Sequence, residues 1–95
     1  MKKKIQEIKK KIIPVLKKNK VKRAGIFGSY ARGKEKKNSD IDILIEIDEN
    51  ISLLGFIRLK NLIQKRLKKQ VDLVEYKSIR PFIKKQALKE EVKII

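Results

Sequence analysis

The chain has 95 residues, with 27 Lys and Arg against 11 Asp and Glu for a formal charge of +16, and contains no Cys, His or Trp. Those counts allow one small domain and exclude a disulfide scaffold, a thiol or imidazole nucleophile and a zinc site on nitrogen and sulfur ligands, which leaves carboxylates as the strong metal ligands. No apolar run approaches the roughly 20 residues of a membrane span, and the Lys-rich start lacks the apolar stretch of a secretory signal, so the expected location is cytoplasmic.

Ile5, Ile8, Ile12 and Leu16 recur at helical spacing with Lys between them, which predicts a basic amphipathic helix over residues 2–19. Pro14 lacks an amide donor and crowds the preceding turn, so the segment is expected to kink there or to divide into two short helices. Residues 1–23 hold eleven basic residues and one acid, whereas residues 24–95 hold sixteen and ten. Most of the excess charge therefore sits on this first segment. A Lys-dominated face without interleaved aromatics is ordinarily solvated surface, and the 22 Lys and 16 Ile also fit a general compositional bias. Docking of an acidic partner and contact with RNA stay open beside that.

Val21 to Phe27 is expected as a short strand ending at Gly28. Residues 28–33, Gly-Ser-Tyr-Ala-Arg-Gly, are bracketed by glycines and lead into the polar turn Lys34–Ser39. From Asp40 to Ile47 the pattern alternates strictly, with Ile41, Ile43, Ile45 and Ile47 on one face and Asp40, Asp42, Leu44 and Glu46 on the other. Asp48, Glu49 and Asn50 end that strand. Ser52 is placed to cap a helix running to about Lys69, with Leu53, Phe56, Ile57, Leu62, Ile63 and Leu67 as its apolar face. Val71 to Tyr76 is a second alternating strand, residues 79–90 a helix opened by Pro81, and Val92 to Ile95 a short terminal strand. The whole predicts a single α/β (α+β) domain over residues 1–95, a small mixed sheet with helices mainly on one face.

The chain has four Asp, and Asp40, Asp42 and Asp72 lie on strands rich in Ile and Val. Asp is disfavoured in strand interiors, and a buried carboxylate is costly unless paired or bound to a cation. Asp40 and Asp42 project to the same side, about 6–7 Å apart at a rise of roughly 3.3 Å per residue. The strand, helix, strand order from Asp40 to Asp72 makes the two strands parallel neighbours if they share a sheet, so the three carboxylates can meet at one edge. Oxygen ligands of this kind suit magnesium or manganese. Beside them, Gly28 permits close backbone approach to an anion, Ser29 offers a hydroxyl and an amide, and Arg32 supplies a fork of donors. A phosphate cradle beside a metal site is what nucleotidyl transfer requires.

Gly28-Ser29, ten residues, then Asp40-Ile41-Asp42 resembles the signature of the DNA polymerase beta nucleotidyltransferase superfamily. The fuller string Gly28-Ser29-Tyr30-Ala31-Arg32-Gly33, with Ser39-Asp40-Ile41-Asp42 and Val71-Asp72-Leu73-Val74, is similar to its minimal nucleotidyltransferases, the MNT or MntA-like proteins. The resemblance covers about residues 10–95 and implies that family's palm-like fold. It implies that Asp40 and Asp42 ligate two Mg2+ ions, that Asp72 completes the site and helps activate the acceptor hydroxyl, and that Gly28, Ser29 and Arg32 hold the phosphates of ATP. It further implies a HEPN-type RNase toxin as partner, neutralised by transfer of AMP to a tyrosine, so that the chain is the antitoxin of the pair.

The rivals are the same site acting on a small molecule or an RNA end, a non-catalytic antitoxin that only binds, and a basic nucleic-acid-binding module. Tyr30 is expected to serve packing. Glu46 shares the Asp face but lies some 13 Å from Asp40 at the usual strand rise and is left out of the site. Lys77 and Arg80 follow the Asp72 strand and read as solvated charge.

Overall fold

The computed structural model describes residues 2–47 and 51–95. Helix α1 (Lys2–Lys18) leads to strand β1 (Val21–Phe27), the short helix α2 (Gly28–Arg32), β2 (Ile41–Ile47), α3 (Leu53–Leu67), β3 (Val71–Glu75), a 3-10 turn at Tyr76–Ser78, α4 (Pro81–Glu90) and the two-residue strand β4 (Val92–Lys93). The residues expected to end β2, Asp48, Glu49 and Asn50, lie outside the described residues.

Each element has a local cause. The helix α1 continues through Pro14. Pro14 faces solvent, and so does Lys10, whose carbonyl loses its amide partner there, so water can satisfy it. The side chain of Ser52 caps α3, accepting from the Gly55 amide at 3.0 Å. Replacing Ser52 with Ala is expected to cost about 1 kcal/mol, read as a fall of about 4–8 °C in the thermal midpoint of a domain this size.

The strands form one mixed sheet in the order β3-β2-β1-β4. β2 is antiparallel to β1 and parallel to β3, the arrangement that the β2–α3–β3 crossover dictates. Because side chains alternate along a strand, Ile41, Ile43 and Ile45 fall on one face with Ala24, Ile26, Val71 and Leu73. That face packs against Ile5, Ile8, Ile12 and Leu16 of α1 and Leu59, Ile63 and Leu67 of α3, and Tyr30 is buried in the same core. The opposite face carries a smaller cluster of Phe27, Leu44 and Tyr76, covered by Ile79 and Ala87.

The face that α3 buries differs from the expected one. Phe56, Ile63 and Leu67 do pack inward, with Leu59, but Leu53 is 77% exposed, and Ile57 and Leu62 are also exposed. The helix carries apolar residues on more than one side, so spacing alone does not choose the buried stripe. β3 ends one residue early, because Tyr76 begins the 3-10 turn, and α4 starts at Pro81 instead of residue 79. No helix among the described residues is long and apolar enough to cross a membrane.

Candidate active site

The register of the sheet positions the acids. Asp42 lies directly opposite Asp72 on β3 and opposite Phe27 on β1. Neighbouring strands stand roughly 4.8 Å apart, so two carboxylates on the same face are adjacent. Asp42 is half-buried and Asp72 exposed. Burial pushes the Asp42 carboxyl above its ordinary range, and repulsion from Asp72 and Asp40 pushes it further, with only Arg32 opposing. This is the electrostatic signature of a place that lacks positive charge.

Gly28 closes the first strand at φ +66°, a left-handed conformation that side-chain-bearing residues rarely adopt. A Cβ at this position would lie 3.0 Å from Asp42 Cγ and collide with its Oδ2. Glycine is therefore required twice, by the turn and by the approach of the backbone to the Asp42 carboxylate. Ser29 follows, half-buried, in the first turn of α2.

Gly28, Arg32, Asp42 and Asp72 line one cleft of about 570 Å³ between the second face of the sheet and α4. Ser29 borders it through Gly28. Asp40 is placed differently. It precedes the first residue of β2, where Ile41 donates to the Gln70 carbonyl at 3.0 Å, and it lines a separate basic hollow with Lys37, Lys68 and Lys69. It stands close enough to raise the Asp42 carboxyl, but it approaches from the rim. Among the described residues no three acids already converge on one point. The oxygen-only donor set, and an Asp42 carboxyl pushed up by burial and by its acidic neighbours, fit a hard divalent cation.

Helix α4 forms the far wall and contributes contacts that spacing does not reveal. Glu90 Oε2 accepts from Arg32 Nη1 at 3.2 Å, so the guanidinium facing the cleft is engaged by a carboxylate. Glu91 accepts from Arg23 Nη2 at 3.1 Å and from the Tyr76 hydroxyl. Arg23 also lies 4.4 Å from the Tyr76 ring centroid, and Phe27 meets that ring edge-on at 6.0 Å. Burial, then the Glu91 carboxylate, holds the Tyr76 hydroxyl well above its ordinary pKa, which keeps it a donor. Gly25 leaves room for this clamp, since a Cβ there would come within 2.6 Å of Glu91 Cγ. A signal for these contacts exists in the sequence. Two of the scarce acids sit at a helix C-terminus, where the helix dipole disfavours negative charge and a compensating cation is needed.

Of the other residues considered, Glu46 is exposed opposite Arg23, Lys77 pairs with Glu75 at 3.9 Å, and Arg80 lines the cleft at the start of α4.

The family described as polymerase beta, nucleotidyltransferase, matches residues 10–95. A Methanocaldococcus jannaschii protein provisionally assigned as a protein adenylyltransferase is 53% identical over 91 residues, covering 96% of this chain and 98% of that protein. The protein adenylyltransferase MntA of Thermococcus cleftensis is 44% identical over 72 residues, 76% of this chain and 73% of that one. Among solved structures, a toxin-antitoxin with AMP-PNP superposes with a TM-score of 0.80 at 28% identity, over 92% of this chain and 72% of that one. A tri-AMPylated Shewanella oneidensis HEPN toxin in complex with an MNT antitoxin matches with a TM-score of 0.74 at 25% identity, over 95% of this chain and 71% of that one.

Proposed function

Because this chain belongs to the polymerase beta nucleotidyltransferase family, we propose that it is a magnesium-dependent enzyme that moves AMP from ATP to a tyrosine of a HEPN-type RNase toxin and so acts as its antitoxin. One observation carries most of the weight: Asp42 and Asp72 in register across β2 and β3, with the Gly28 backbone laid against the Asp42 carboxylate. The relatives' assigned activity and the AMPylated toxin complex support the choice of acceptor.

Asp42 and Asp72, joined by Asp40 from the rim, would hold the magnesium. Bound there, the metal supplies charge neutralisation on the phosphates and acidifies the attacking hydroxyl. The backbone at Gly28 and Ser29 holds the terminal phosphates, and Arg32 adds its guanidinium fork. The tyrosine oxygen bonds to the α-phosphorus as the bond from that phosphorus to the bridging oxygen breaks and diphosphate leaves. The carboxylate of Asp72 takes the hydroxyl proton. The protein's contribution is placement and field, as expected for phosphoryl chemistry.

The Arg32–Glu90 pair bears on this assignment, since Glu90 occupies the donors that a phosphate would use. An ion pair this exposed is worth about 0.2–1 kcal/mol. Glu90→Gln is therefore expected to tighten binding of inorganic tripolyphosphate by about 1.4- to fivefold in a titration. Unchanged affinity would remove Arg32 from the phosphate site.

The assignment is tested with ATP labelled on its α-phosphate, incubated with magnesium and with separate acceptors. Label is expected on the HEPN-type protein of the same genome. Transfer only to RNA ends would replace the acceptor, and no transfer with no nucleotide binding would overturn the enzyme assignment. Binding of RNA that falls steeply with salt would favour the nucleic-acid rival, because each neutralised phosphate releases counterions.

A further inference from the structure

The cleft extends well beyond the carboxylates, and its two ends differ in chemistry. Gly28, Arg32, Asp42 and Asp72 line it together with the apolar Val74, Ile79, Phe82 and Ile83, and the spacing along α4 sets the two groups apart. Helix α4 spans both. Phe82, Gln86 and Glu90 all line the cleft and recur every four residues, so they share one helix face. Glu90 pairs with Arg32 at the phosphate end. Phe82, eight residues earlier, therefore lies about 12 Å along the helix axis from it, which leaves room for a sugar and base beyond the phosphates.

We propose that this second end is the base-binding subsite for adenine, with Phe82 as the stacking surface and Gln86 as the residue that selects adenine over guanine. The proposal rests on the nucleotidyltransferase assignment and deepens it. Phe82 is 91% exposed at the rim of the cleft, an unfavourable place for a large aromatic side chain unless a flat ring covers it. Val74 and Ile79 supply apolar floor beside it. Gln86 is exposed on the cleft wall, four residues from both Phe82 and Glu90, so its amide is open to a ligand lying between them. A primary amide can accept from the adenine amino group while donating to the neighbouring ring nitrogen. Guanine presents a carbonyl where adenine presents that amino group, so the Gln86 carbonyl would face another acceptor.

The test is equilibrium binding, with magnesium present, of ATP, GTP and inorganic tripolyphosphate to the whole chain and to Gln86→Arg and Phe82→Ala. Both residues are exposed on α4, so neither change removes core packing. The unaltered protein is expected to prefer ATP over GTP roughly tenfold, the scale of one good bidentate contact. Gln86→Arg should reverse that order, because a guanidinium matches the two acceptors of guanine. Phe82→Ala should weaken both nucleotides about tenfold and leave tripolyphosphate unchanged. Tight ATP binding with no preference over GTP, a retained ATP preference in Gln86→Arg, or unaltered nucleotide affinity in Phe82→Ala would overturn the subsite and leave the enzyme assignment standing. An unaltered protein that binds neither ATP nor tripolyphosphate would overturn both.

Discussion

Asp42→Asn is expected to abolish AMP transfer while making the metal-free protein more stable. The first effect follows from the site. Asp42 is the acid flanked on its two sides by Asp72 and by the Gly28 turn, and removing its charge takes away the central anchor proposed for the cation. Several kcal/mol of transition-state stabilisation go with it, a loss of about a thousandfold or more in kcat/KM. The second effect follows from burial and repulsion, which both work against the ionised form in the folded state. Like charges directly opposite on neighbouring strands cost on the order of 0.2–1 kcal/mol, so the midpoint should rise by about 1–8 °C. The sign with pH is fixed by the same shift. A carboxyl whose folded pKa is raised favours the fold fully below its unfolded pKa, and that contribution is lost as pH rises through the folded value. The gain in Asp42→Asn should therefore be visible at neutral pH and vanish in acid. Scanning calorimetry with chelator, then with magnesium, checks the coupling: magnesium should stabilise the unaltered protein and leave the variant unmoved. A variant less stable than its parent at neutral pH would contradict the electrostatic account.

Gly28→Ala should damage activity more than stability. A side chain held at φ +66° costs about 1–2 kcal/mol, or a fall of roughly 4–16 °C for a domain of this size. Relief of the clash with Asp42 must come from movement of either the turn or the carboxylate. Misplacement of a reacting group by about 1 Å can cost a hundredfold in rate. A loss of about that size in kcat/KM, in protein that circular dichroism shows to be folded, is the expected result. Transfer at the parental rate would mean that the Gly28 turn does not hold the nucleotide.

Much of this site was legible before the fold was known, and the reason is that its signals are local. Strict alternation from Asp40 to Ile47 marks a strand with one buried face, and the following helix and strand compel parallel pairing. Asp42 and Asp72 then meet as the crossover requires. Asp40 was less legible, because it lies before the ladder begins and the pleat no longer fixes where it points. The buried stripe of α3 was hidden by surplus apolar residues such as Leu53 and Leu54, both exposed. Glu90 and Glu91 pair with residues 58 and 68 positions away, and no periodicity reports contacts of that range.

The most direct measurement is the intact mass of a candidate HEPN-type partner after incubation with this chain, ATP and magnesium, followed by fragmentation to locate the modification. The expected result is a gain of one or more AMP units on tyrosine, absent with Asp42→Asn and absent when magnesium is chelated. A partner of unchanged mass in the presence of this chain bound to ATP would contradict the transfer assigned to it.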